Sequence, residues 1–201
     1  MSLKKISLLA VSIIALLSTN AFASSKSSQK DFPTKEDQAL VIFMRPSMLG
    51  AAIKSPILDI TDEQSQVIGN FAAGKKIAYY CEPGERRFMS MGENVDFVDA
   101  KLAAGKIYYV QIIPKMGALK ARFILKPFKK NSGDPDFALN SEKQQKSFKK
   151  CKWVVTDDKD RKWAKNKSDK IVKRRSKFTE KWNAMEEGER EWLSISKSDG
   201  V

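Results

Sequence analysis

The sequence contains no histidine and only two cysteines. Without histidine, Ser-His and Cys-His nucleophilic pairs and the usual zinc and copper ligand sets are excluded. Cys81 and Cys151, seventy positions apart, cannot complete a metal site by themselves. The ten glycines are scattered, and no glycine-rich loop leads from a strand into a helix to cradle a nucleotide phosphate. No dense acidic cluster offers a carboxylate-only metal site, so the sequence implies no cofactor. No stretch is apolar for long enough to span a bilayer as a retained helix.

What is present begins with an amino-terminal leader pattern. Lys4 and Lys5 precede the run "ISLLAVSIIALL" (6–17), and Ala21-Phe22-Ala23 reads as a small-x-small cleavage signal. As a helix the run would cover only about 18 Å, against a hydrocarbon core of roughly 30 Å. Residues 1–23 are therefore expected to be a signal peptide, and the mature chain periplasmic or secreted from a bacterium. No cysteine follows the cleavage position, so no lipid anchor is expected there.

The net charge of +13 is unevenly placed. Residues 24–114 hold 11 basic and 11 acidic groups, whereas residues 115–183 hold 22 basic and 8 acidic. Residues 184–201 reverse the sign, with 2 basic and 5 acidic. A neutral front half is joined to a strongly basic back half.

After a polar segment (24–38), the front half reads as β-structure. Eight compact apolar or alternating runs, at 39–45, 56–62, 66–71, 75–82, 86–91, 95–102, 106–114 and 119–128, are separated by Gly, Pro, Asn and Asp. That spacing predicts a mainly β fold, an antiparallel β-sandwich of about seven or eight strands over 39–128. Pro83-Gly84 in "YYCEPGERRF" predicts a hairpin turn. Tyr79, Tyr80, Tyr108 and Tyr109 would put one ring on each face of neighbouring strands, as packing or as a sugar-stacking platform.

Residues 129–140 are turn-rich and read as a linker, and 141–201 as a basic α-helical extension. Within it, 141–151 predicts a short helix capped by Ser141, "KWVVT" a further strand, and the chain from about Asp157 a helix. Ala164, Ile171, Phe178, Trp182, Met185 and Trp192 recur at steps of 7, 7, 4, 3 and 7, one apolar stripe.

Four pieces of the front half occur in a recurring order: Arg45-Pro46-Ser47, Val67-Ile68-Gly69, Pro83-Gly84-Glu85 and "AAGKIYYVQI" (103–112). Residues 39–127 thereby resemble a family of uncharacterised bacterial envelope β-sandwich domains, and also the PEGA-type sandwich modules of surface proteins. The resemblance implies a β-sandwich in the cell envelope with no assigned chemistry. Many relatives look like lipoproteins, which this chain does not, and the basic tail lies outside the shared region.

In an exported protein two cysteines most simply form a disulfide, Cys81–Cys151, with two separate thiols as the alternative. A catalytic thiol at Cys81 lacks a base, since Arg86 and Arg87 cannot accept a proton. Glu82, Glu85, Glu93, Asp96 and Asp99 are the carboxylates from which a glycosidase pair would be drawn, yet they fall at turns and on alternating strand positions.

The basic segment carries the sharpest expectation. Lys149, Lys150, Lys152, Arg161, Lys162, Lys165, Lys167, Lys170, Lys173, Arg174, Arg175 and Lys177 interleave with Trp153, Trp163 and Phe178, a mixture suited to polyanions. The expected role is a non-enzymatic envelope-associated binding or structural module. Its partners would be lipid headgroups, lipid A, another polyanion or an envelope protein. A secreted nucleic-acid or host-factor binder is the alternative, and a carboxylate-dependent glycosidase a weaker one. In a competing reading, the apolar stripe docks on the sandwich, or on a partner helix, and leaves the lysines solvated.

Overall fold

The computed structural model describes residues 32–119 and 121–201, so the leader expected at 1–23 lies outside the described residues. Among these residues nine strands form two sheets, joined by four α-helices. Strands β1 (Ala39–Arg45), β4 (Lys75–Cys81), β7 (Ile107–Lys115), β8 (Arg122–Pro127) and β9 (Lys152–Val154) make the first, in the order β8-β7-β1-β4-β9. Strands β2 (Ser55–Asp59), β3 (Gln66–Phe71), β5 (Gly84–Met91) and β6 (Val95–Leu102) make the second, ordered β3-β2-β5-β6. Most pairings are antiparallel, but β1 runs parallel to β7 and β4 parallel to β9. The expectation of a purely antiparallel arrangement is corrected accordingly.

One apolar cluster draws on both sheets. Val41, Phe43, Val110 and Leu125 from the first meet Ile57, Phe88 and Val98 from the second, and Phe43 meets Phe88 edge-on at 5.3 Å between ring centroids. Side chains alternate across a strand, so each sheet also carries apolar residues on its other face. On the first sheet, Leu40, Ile42 and Met44 are covered by Phe128, Phe137 and Cys151. On the second, Leu58, Ile60, Met89 and Phe97 are covered by Ile171 and Trp182, with Phe178 and Met185 beside them.

The tyrosines divide as their alternation requires. Tyr79 and Tyr108 belong to the cluster shared by the two sheets, while Tyr80 and Tyr109 pack on the other face of the first sheet. They are not on adjacent strands, because β1 lies between β4 and β7.

Two local expectations fail for the same reason: a sequence pattern fixes which way a strand faces, not which strand it pairs with. Pro83-Gly84 makes no hairpin. β4 pairs with β1 and β9, whereas β5 pairs with β2 and β6. The turn, with Gly84 at φ +114°, a region open to glycine, carries the chain from one sheet to the other. Nor do the cysteines bond; both are buried and free. Cys81 ends β4, and Cys151 precedes Lys152, which pairs with Lys75 at the opposite end of that strand. Six strand residues span about 20 Å, far beyond the Cα separation of roughly 4.4–6.8 Å that a disulfide needs.

The region after Phe128 folds onto the strands. Phe137, in a short 3-10 turn, packs on Phe128 at 5.2 Å. Ser141 caps α1 (Glu142–Lys150) by accepting from the Gln144 amide. α2 (Asp158–Asn166) opens on a capping box between Asp157 and Asp160. α3 (Ser168–Asn183) follows directly, and α4 (Glu187–Leu193) lies beyond a short break.

The long helix expected from Asp157 is thus three helices, interrupted at Lys167 and after Asn183. Its stripe is divided with it. Ile171, Phe178, Trp182 and Met185 cover the second sheet, and Ala164 is half-buried on α2. Trp192 is 44% exposed on α4, with the Lys126 ammonium 3.1 Å from its ring centroid.

Candidate anion-binding surface

The basic residues separate into two kinds by what their side chains touch. The arginines are structural ties. Arg161 pairs with Asp158 at 2.7 Å. Arg174 donates to the Gly92 and Glu93 carbonyls at 2.7 and 2.6 Å, and burial pulls its pKa down. Arg175 donates to the Asp62 and Glu63 carbonyls at 2.7 and 3.2 Å. These contacts fasten α2 and α3 to themselves and to the second sheet's loops.

The lysines do the opposite. Lys149, Lys150, Lys152, Lys162, Lys165, Lys167, Lys170, Lys173 and Lys177 are all exposed. Among the described residues none of the nine takes part in an ion pair. On α3, residues 170, 173 and 177 share one face by helical spacing. Lys181, also exposed, extends the same line by one turn, although the sequence reading stopped before it. Ile171, Phe178 and Trp182 of α3 lie elsewhere on its circumference, against the sheet, while Val172 is 58% exposed. Docking and a solvated cationic face therefore coexist.

The aromatic residues interleaved with this charge are mostly packing. Trp153 meets Phe32 at 4.6 Å and Phe148 at 5.7 Å. Phe178 meets Phe97 edge-on at 4.7 Å. Trp163 is partly buried against the second sheet's cover and also lines a cleft of about 230 Å³ with Ile53, Lys54, Lys167, Lys170 and Arg174. Among the described residues no aspartate or glutamate lines that cleft.

Chain direction gathers further lysines at the same end. β1 and β7 run towards it and β4 starts from it, which places Arg45, Lys115 and Lys75 together. The Lys152 amide bonds to the Gly74 carbonyl at 2.9 Å, so Lys149, Lys150 and Lys152 arrive there too. The buried Lys76 ammonium holds this arrangement. It donates to the Phe148 carbonyl at 2.6 Å and lies 3.5 and 4.6 Å from the Phe148 and Trp153 ring centroids.

The other candidates resolve into structural contacts. Burial pushes the Cys81 thiol up to about 12 and Cys151 to about 11, values that keep a thiol protonated rather than nucleophilic. Glu82 pairs with Arg86, and Glu85 with Lys101. Glu93 accepts from the Ala118 and Leu119 amides, Asp96 from Leu125, and Asp99 from Arg87 and Trp182.

A larger open groove, about 1270 Å³, runs beside Arg87, Asp99, Arg175 and Trp192. It mixes cations with carboxylates such as Glu63, Glu187 and Glu191, so it presents no field of one sign. Among the described residues no group of three His, Cys, Asp or Glu side chains is placed to hold a metal. Likewise, no described helix is long and apolar enough to cross a membrane. No family model matches this chain, and a search of curated proteins yields no match.

Proposed function

We propose that this protein is an exported, non-enzymatic module of a bacterial envelope, a β-sandwich whose basic helices hold an anionic surface. The observation that carries the reading is the set of nine exposed lysines without acidic partners on α1, β9, α2, the α2–α3 junction and α3. Like charges gathered on one body cost self-repulsion unless a polyanion offsets it. The leader pattern in residues 1–23 and the resemblance of residues 39–127 to envelope domains support the location. An exported cationic face meets lipid phosphates before it meets nucleic acid.

The test compares binding of the mature protein to phosphatidylglycerol vesicles, lipid A vesicles, heparin and duplex DNA at one ionic strength. Preference for the lipid phosphates supports the proposal. Tightest binding to duplex DNA would assign the same face to nucleic acid instead.

A further inference from the structure

The cationic end of the molecule also carries the two most exposed large apolar residues among those described. Leu119 is 93% exposed and Met116 79%, both in the β7–β8 loop. Met48, Leu49 and Ile53, in the β1–β2 loop, are 57%, 46% and 43% exposed. The two loops are neighbours. A Cβ built at Gly50 would lie 3.7 Å from Ile53 and 3.9 Å from Ala121, and Ile53 and Ala121 line the same cleft as Lys167 and Lys170.

Both loops are held rather than loose. The Arg45 guanidinium, fully buried, donates to the Leu49 and Gly50 carbonyls at 3.2 and 2.8 Å and also to that of Ile53. Glu93 accepts from the Ala118 and Leu119 amides at 3.0 and 2.8 Å. The scaffold therefore fixes the backbone of two loops while leaving their large apolar side chains in solvent. Exposed apolar residues gathered into one patch mark an interaction surface, whereas single ones need no explanation.

The surroundings select the occupant. Lys54, Lys115, Lys149, Lys150, Lys152, Lys167 and Lys170 are exposed around these loops. Of the nearby acidic groups, Glu93 is engaged with the two amides and Arg122, Asp158 with Arg161, and Asp160 with the Asp157 amide. The exposed Asp169 accepts from the Ser168 hydroxyl. Apolar tips inside a ring of lysines match the boundary of an anionic bilayer, where phosphates lie above acyl chains. The acidic α4, with Glu187, Glu189 and Glu191, lies away from this end. It is anchored by the Lys129 bond to the Glu191 carbonyl, and Ile195 just beyond it pairs with Ala100.

We infer that the β1–β2 and β7–β8 loops insert Met48, Leu49, Met116 and Leu119 into the interface of an anionic membrane, with the lysine ring on its phosphates. This rests on the reading of the basic face as an anionic-surface site and deepens it. It names a bilayer as the surface and fixes the orientation, loops down and α4 away.

The experiment uses the mature chain and vesicles of equal phosphatidylglycerol and phosphatidylcholine. The two native cysteines are buried, so Leu119→Cys directs an environment-sensitive fluorophore to the loop, and Glu189→Cys directs it to α4. The expected result is a blue shift on vesicles at position 119 and none at 189. The double variant Met116→Asp/Leu119→Asp, at sites too exposed to matter for folding, should bind at least about tenfold more weakly.

Wild-type binding with no shift at 119 and an unaltered double variant would overturn the inference while leaving the anionic-surface reading standing. Absence of wild-type binding to these vesicles would overturn both. Self-association in solution that the double variant abolishes would assign the apolar tips to a second copy and overturn the membrane assignment.

Discussion

Trp182 donates its indole N–H to Asp99 at 2.9 Å, and the same carboxylate is held by Arg87 at 2.5 and 2.8 Å. Trp182 is 1% exposed, so the contact pins the end of α3 to β5 and β6 through one buried ring and one shared acceptor. Trp182→Ala removes both and should lower unfolding free energy by about 3–5 kcal/mol. Trp182→Phe keeps most of the packing and should cost about 1–3 kcal/mol, from the lost hydrogen bond and the smaller ring. Urea titration of the two variants would show this order; equal losses would mean that the ring's packing contributes nothing beyond the hydrogen bond.

Asp96 supplies a pH dependence with a definite sign. Burial pushes its carboxyl up to about 7, although backbone amides of Leu125 and Phe97 pull the other way. An unfolded aspartate titrates near about 3.9. Between these values the folded chain keeps a proton that the unfolded chain has released, so this group's contribution is fully present below about pH 4 and is lost as pH rises through about 7. Asp96→Asn does not titrate. Its stability relative to wild type should therefore improve from pH 4 to 8, and a difference independent of pH would contradict the assignment.

The separation of Cys81 and Cys151 across the length of β4 makes thiol accessibility a direct check on register. An aromatic disulfide reagent should find no reactive thiol in the folded protein and two per chain after denaturation. A reducing agent should leave the melting temperature unchanged. A loss of stability on reduction would require a different pairing of β9.

Arg45 is buried, and among the described residues its guanidinium donates to carbonyls of the β1–β2 loop and Phe71 and to no carboxylate. Burial lowers its pKa, and its guanidinium lies 4.9 Å from the Phe123 ring centroid. Arg45→Met fills the space but leaves those carbonyls without donors. It should cost about 1–3 kcal/mol and raise the rate of proteolytic cleavage between residues 46 and 54. Unchanged cleavage would show that the loop holds itself.

Much of the secondary structure was legible because it is local. β1, β3 and β6 have the bounds that alternation and turn residues implied, 39–45, 66–71 and 95–102, and Ser141 caps α1. Pairing was not legible. Nothing in "YYCEPGERRF" distinguishes a hairpin from a passage between sheets, since both need a turn of that kind. The break at Lys167 was hidden because neither glycine nor proline marks it. The apolar tips were missed for a different reason. Met48 and Met116 are far apart in sequence, and the parallel run of β1 beside β7 brings their loops to one end.

The central claim is that unpaired lysines hold an anionic surface, and the most direct measurement is vesicle affinity as a function of salt for wild type and Lys170→Gln/Lys173→Gln/Lys177→Gln. Each lysine near a charged bilayer contributes about 1 kcal/mol, so the triple variant should bind roughly a hundredfold more weakly at about 0.1 M salt. That gap should close near 1 M, where the screening length falls to about 3 Å. Equal affinities at low salt, or wild-type binding indifferent to salt, would contradict the account.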